Sequence, residues 1–137
     1  MGRKLARESA MKLLFQMQIN NDFSSEAVDF FLNNNEFSDD EKEYIQNTVN
    51  SITENIELID GKIEQYALGW KINRLPRVDL AILRIAIYEI LFRDDIPVEV
   101  SINEAIDISK KYSTSESSKF INGLLGSIAR DGNDVND

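Results

Sequence analysis

Apolar side chains recur along this chain every three or four positions and almost nowhere in strict alternation. That period belongs to helices packed on one face. Between Arg3 and Ile19, the residues Ala6, Ala10, Leu13 and Met17 fall at i, i+4, i+7 and i+11, which predicts a first helix with a core stripe. Further helices are predicted over 25–33 (Ala27, Val28, Phe31 and Leu32 apolar), over 38–55 (Ile45, Val49 and Ile52 inward) and over 58–68 (Ile59, Ile63, Tyr66 and Ala67 inward). Residues 69–76 read as a connection, with Pro76 at the boundary of the next helix. That fifth helix, 77–92, is apolar nearly all round, from Leu80-Ala81-Ile82-Leu83 to Ile90-Leu91-Phe92, and is expected to be central and buried. A sixth is predicted over 101–112 and a seventh over 114–130. Ser38, Ser101 and Ser113 each stand three residues before a Glu, the pattern of a capping box at a helix start. Pro97-Val98-Glu99-Val100 is the one β-flavoured stretch and is too short to make a sheet. The prediction is an all-α chain of about seven helices, a single domain over 1–130. An acidic, Gly/Asn-rich tail at 131–137 is expected to be disordered.

Charge adds a second pattern. Residues 1–19 carry Arg3, Lys4, Arg7 and Lys12 against Glu8, a local net of +3, which leaves −12 on the other 118 residues of a chain whose net charge is −9. Cations in the first turn of a helix oppose its macrodipole, each costing roughly 0.3–1 kcal/mol, and no Ser, Thr, Asp or Asn caps them. Positive charge kept at a locally unfavourable place points to an anion, phosphate first; the plainer reading is decoration of a frayed terminus. A basic tip on an acidic body would orient a nucleic acid onto one face and repel it elsewhere.

The composition narrows the chemistry. There is no Cys and no His. That removes disulfides, thiolate metal sites, a cysteine nucleophile and the usual general base near neutral pH. No glycine-rich phosphate loop and no zinc spacing occurs, and Asp131-Gly132-Asn133-Asp134 is followed by no Glu that would complete a calcium loop. No enzymatic activity, cofactor or metal is expected. No apolar run is long enough to cross a membrane and no signal peptide is recognisable, so the cytoplasm is the expected compartment.

On a helical wheel Lys4, Arg7, Met11 and Phe15 share an arc of about 80° apart from the core stripe. Cations beside an aromatic ring suit single-stranded nucleic acid; for Phe15 the alternative is core packing beneath the seventh helix. In that helix Ile121, Leu124, Leu125 and Ile128 share a face, with Phe120 at its edge and Asn122 off it, suited to stacking on a base and reading its edge. Gly123 and Gly126 inside the helix imply close approach by another helix or by a ligand. Arg84, midway along the fifth helix, needs an ion-pair partner, with Glu104 the candidate, and Glu89 and Arg93 form an i,i+4 pair.

Taken in order, several segments resemble the NusB family of bacterial transcription antitermination factors. They are Arg3-Lys4-Leu5-Ala6-Arg7-Glu8, Trp70, the run Asp79–Glu89, Pro97–Ala105 and Lys119-Phe120-Ile121-Asn122-Gly123-Leu124-Leu125. The resemblance covers about residues 3–129. It implies two helical bundles side by side, helices one to three and four to seven. It also implies binding of boxA RNA together with NusE, which is ribosomal small-subunit protein ten, within a complex on RNA polymerase that resists termination and supports ribosomal RNA transcription. The implied RNA-binding residues are Arg3, Lys4, Arg7, Phe15, Lys119, Phe120 and Asn122, with Glu116 nearby. The implied partner surface lies near Trp70, Arg77 and Asp79. Some relatives self-associate through the RNA face, so a homodimer is compatible with the resemblance. Family members often carry a denser arginine cluster at the start, so solo RNA affinity is expected to be weak and NusE to complete the site. Two other readings use the same residues: a helical protein-interaction module that never touches RNA, and the RNA-recognition part of a methyltransferase whose catalytic domain is another chain.

Overall fold

The computed structural model describes the backbone of residues 3–136 and the side chains of residues 3–131. Seven α-helices and one 3-10 turn follow in order: α1 (Arg3–Asn20), α2 (Ser25–Asn33), α3 (Asp39–Glu54), α4 (Ile56–Tyr66), the 3-10 turn Ile72–Arg74, α5 (Arg77–Phe92), α6 (Val98–Tyr112) and α7 (Ser115–Asn136). No strand occurs among the described residues.

The all-round apolar sequence of α5 is matched by its position. Every residue from Asp79 to Glu89 is buried, and α5 packs against α1, α3, α4, α6 and α7. α1 is buried on two sides, by α3 and by α5, so its apolar surface is wider than a single stripe: Met11 and Leu14 join Ala6, Ala10, Leu13 and Met17 in the core. This corrects the expected solvent-facing arc. Arg7 and Met11 point at Ile82, Ile85 and Ala86 of α5 and at Ala105 and Ile108 of α6.

Local signals explain most helix ends. Ser38 accepts from the Glu41 N–H at 3.2 Å while the Glu41 carboxylate accepts from the Ser38 N–H at 2.8 Å, a complete capping box. The other two expected boxes are not formed. α6 begins three residues earlier than expected, directly after Pro97, whose fixed φ and missing N–H suit a helix start. Val98-Glu99-Val100 is therefore its first turn, and Ser101 is buried inside the helix. At α7 the cap is Thr114 rather than Ser113: its hydroxyl accepts from the Ser117 N–H at 3.0 Å. α4 starts at Ile56 and stops at Tyr66 because the chain turns through left-handed conformations at Leu68 (φ 51°) and Gly69 (φ 98°). α7 continues to Asn136, through the segment expected to be a disordered tail. Asp131 accepts a hydrogen bond from the Tyr66 hydroxyl of α4, and no proline interrupts the helix. The last tail residue, Asp137, lies outside the described residues.

Of the two approaches expected at Gly123, that of another helix does not occur. A Cβ built there has no atom within 4 Å, and at Gly126 the nearest is a flexible Arg130 terminus at 3.4 Å. Gly123 lies on the exposed side of α7, away from the helix contacts. Gly123→Ala is thus expected to raise stability by about 0.5–1 kcal/mol, read as a higher urea midpoint at unchanged slope.

Candidate nucleic-acid interface

The cations of α1 divide by burial. Arg7 is only 5 % exposed; its Nε donates to Glu89 of α5 at 2.8 Å, and its Nη1 lies 3.8 Å from Glu104 of α6. Glu89, 1 % exposed, also accepts from the Tyr44 hydroxyl of α3 and from the Ser101 hydroxyl of α6 at 2.7 Å. One carboxylate thus ties α1, α3 and α6 to α5. Burial and the adjacent Glu89 charge push the Tyr44 phenol far above its ordinary range, so it stays a hydrogen-bond donor. The i,i+4 pair expected of Glu89 is absent for this reason, and Arg93 turns instead to Asp95 at 2.7 Å. Arg7, expected to meet phosphate, is a buried pin between helices.

Lys4 and Arg3 stay outside. Lys4 is 63 % exposed and lies 3.2 Å from Glu104 and 3.4 Å from Asp107. Pairs this exposed hold little energy, so Lys4 is free to exchange a carboxylate for a phosphate. The Arg3 guanidinium lies over the Tyr44 ring, 5.0 Å from its centroid.

Further along α1 the structure adds groups that the sequence reading did not select. Lys12 of α1 and Lys111 of α6 place their ammonium groups 5.5 and 5.3 Å from the centroid of the Tyr112 ring. Glu8 accepts from Lys111 at 2.7 Å and from the Tyr112 hydroxyl. Burial alone would raise the Glu8 carboxyl, but these two hydrogen bonds prevail and hold it below the ordinary value. The signal for this cluster was the Lys110-Lys111-Tyr112 run, which looks like ordinary basic residues at a helix C-terminus. What the run lacks is any hint that Lys12 and Glu8 lie across from it.

The first turn of α5 ties α1 to the start of α7. Asp79 is buried and accepts from the Ser113 hydroxyl at 2.7 Å and the Ser117 hydroxyl at 2.6 Å, anchoring the start of α7. It is therefore not available to a partner, contrary to expectation. Gln18 of α1 donates to the Arg77 carbonyl at 2.9 Å and accepts from Arg84 at 2.9 Å. Arg84 reaches Asp60 of α4 through two bonds of 2.8 and 2.9 Å, rather than the expected Glu104, which lies beside Lys4 and Arg7. The turn Arg77–Asp79 thus bridges α1, one helical turn beyond Phe15, and α7, just before Lys119 and Phe120. Phe15 and Phe120 are both half-buried with their inner sides against the core, whereas Lys119, Asn122 and Glu116 are exposed. Trp70 is 54 % exposed in the connection, and Arg77 is half-buried.

The candidate groups thus fall in three sets: Arg3 against Tyr44 of α3, Lys4 and the Lys12–Tyr112–Lys111 cluster where α1 meets α6, and Phe15 of α1 with Lys119, Phe120 and Asn122 of α7 on either side of the Arg77–Asp79 bridge. Arg3 and Phe15 are about 18 Å apart along α1 by helical rise. No group of acidic side chains that would hold a metal ion occurs among the described residues, and no described helix is long and apolar enough to cross a membrane.

The sequence profile described as the NusB family matches residues 4–130. A transcription antitermination protein NusB of Ruminiclostridium cellulolyticum is 46 % identical over 130 residues, covering 95 % of this chain and 90 % of the relative. One of Alkaliphilus oremlandii is 50 % identical over 126 residues, covering 92 % and 91 %. Among solved structures, T. maritima NusB superposes with a TM-score of 0.86 at 38 % identity, covering 95 % of this chain and 92 % of that one. A crystal structure of antitermination factors NusB and NusE in complex with double-stranded RNA superposes with a TM-score of 0.84 at 28 % identity, covering 93 % and 96 %. With a family profile spanning nearly all of it and relatives near half identity over its length, this chain belongs to the NusB family, whose members are non-enzymatic transcription antitermination factors.

Proposed function

We propose that this chain is the RNA-binding half of an antitermination pair. It would bind boxA RNA together with NusE, join the antitermination complex on RNA polymerase in the cytoplasm, and support ribosomal RNA transcription. The observation that carries the reading is the strip of exposed cations interleaved with rings on a chain of net charge −9. Phosphates set the register through Arg3, Lys4, Lys12 and Lys119, while Tyr112, Phe15 and Phe120 offer ring faces to unpaired bases and Asn122 offers an amide to a base edge. Arg7 acts through Glu89, as a positioning residue for the basic end of α1. Trp70 and Arg77 are the residues offered to NusE, with Asp79 holding α7 beneath them. Support comes also from the related NusB and NusE structure with RNA. A homodimer through this flank would hide the same strip and compete with RNA.

The test is a titration of boxA-like single-stranded RNA, with and without NusE, followed by fluorescence anisotropy at about 50 and about 200 mM salt. NusE is expected to tighten binding, and log affinity to fall against log salt with a slope of about −2 to −3, for three or four phosphates neutralised. Absence of binding under both conditions would favour the protein-interaction module instead.

A further inference from the structure

The first helices carry a second surface, opposite in sign to the RNA strip. Between residues 13 and 41 the chain has seven Asp or Glu and no Lys or Arg. In the middle of this stretch α2 turns Phe30 outward, 71 % exposed. A groove lies on each side of it. One, of about 450 Å³, is lined by Leu5, Phe31 and Phe37 with Glu36 at its edge; the other, of about 360 Å³, is lined by Leu13, Met17 and Ala27 with Asp22 and Glu26 at its edge. Gln16, Phe30 and Phe31 line both, and Lys12 is the one cation at either.

The walls are already formed. Phe31 stacks on Phe37 with ring centroids 5.8 Å apart. The Asn34 and Asn35 side-chain amides donate to the Phe30 and Phe31 carbonyls at 2.7 and 2.9 Å, closing the end of α2. Little ordering is therefore needed on binding. An exposed ring between two apolar-floored grooves marks an interaction surface. Its acidic edge repels polyanions and attracts cations.

We propose that this acid-edged groove pair on α1 and α2 is a docking surface for a basic amphipathic helix of a partner protein. Phe30 sits between two of the incoming helix's apolar side chains, and its Lys or Arg residues face Asp22, Glu26 and Glu36. The groove pair meets the proposed RNA strip only at Lys12, and this role does not depend on RNA binding.

The probe is a synthetic amphipathic helix of Leu and Lys about four turns long, with its Leu and Glu counterpart as control. The Leu/Lys helix is expected to bind one to one, to shift amide resonances in α2 and the 30–37 segment, and to lose at least about tenfold in affinity to Phe30→Ala. The Leu/Glu helix should not bind the native chain. Glu26→Gln with Glu36→Lys should abolish that preference. Because Phe30, Glu26 and Glu36 are exposed, both variants should melt within a few degrees of the native chain. Equal affinity for Phe30→Ala, binding of both probes alike by the native chain, or shifts confined to other helices would overturn the proposal. A concentration-dependent dimer abolished by Phe30→Ala would also overturn it, by identifying the occupant as a second copy of this chain.

Discussion

Glu89→Ala should lower the unfolding free energy by about 3–5 kcal/mol, more than any single surface change in this protein. Removing the carboxylate leaves the Arg7 guanidinium buried beside Glu104 at 3.8 Å with no close acceptor, and it strands the hydroxyls of Tyr44 and Ser101. Each stranded group adds a desolvation penalty. Urea unfolding followed by circular dichroism measures the loss. Glu89→Gln, which keeps an acceptor but not the charge, should lose less. A Glu89→Ala protein as stable as the native one would mean that Arg7 has reached water by another route. The same reasoning predicts that Arg7→Glu tests folding rather than RNA binding, because it places a second carboxylate against Glu89.

Lys4→Gln combined with Lys119→Gln should weaken boxA binding about a hundredfold while leaving helicity and melting nearly unchanged. The two positions stand toward opposite ends of the strip, and each lost phosphate contact is taken as about tenfold, or about 1.4 kcal/mol. The salt slope should also become shallower by about 0.7 for each phosphate no longer neutralised, to between about −0.7 and about −1.4. Anisotropy titrations at several salt concentrations read both quantities. A loss of affinity with no change of slope would indicate that the two lysines act through the shape of the site and not through charge.

Much of this molecule was legible in its sequence, and the parts that were not share a cause. Helical periodicity revealed α5 as the buried centre because that signal is local: consecutive apolar residues need no knowledge of neighbours. The Ser38 capping box was legible for the same reason. The partner of a buried charge is different. Arg84 pairs with Asp60, and Glu89 with Arg7, Tyr44 and Ser101, across separations that no local rule spans. Reading Glu89 with Arg93 applied a surface rule to a residue the fold had buried. Ser101-Ile102-Asn103-Glu104 satisfied the capping pattern, yet Pro97 started the helix first and the serine became an internal donor. In the candidate site, Lys4, Phe15, Lys119, Phe120 and Asn122 stand at or near the surface as the sequence suggested, whereas Arg7 and Asp79 are interior braces. Lys12, Lys111 and Tyr112 went unselected because only the packing of α1 on α6 assembles them.

The Glu89 junction has a thermodynamic consequence for recognition. Moving α1 and α3 away from α5 would have to break two hydrogen bonds to a buried carboxylate, and moving α6 away would break a third. The protein therefore meets its ligand as a stiff template, and the loss of conformational freedom on association falls on the flexible strand that comes to lie against it.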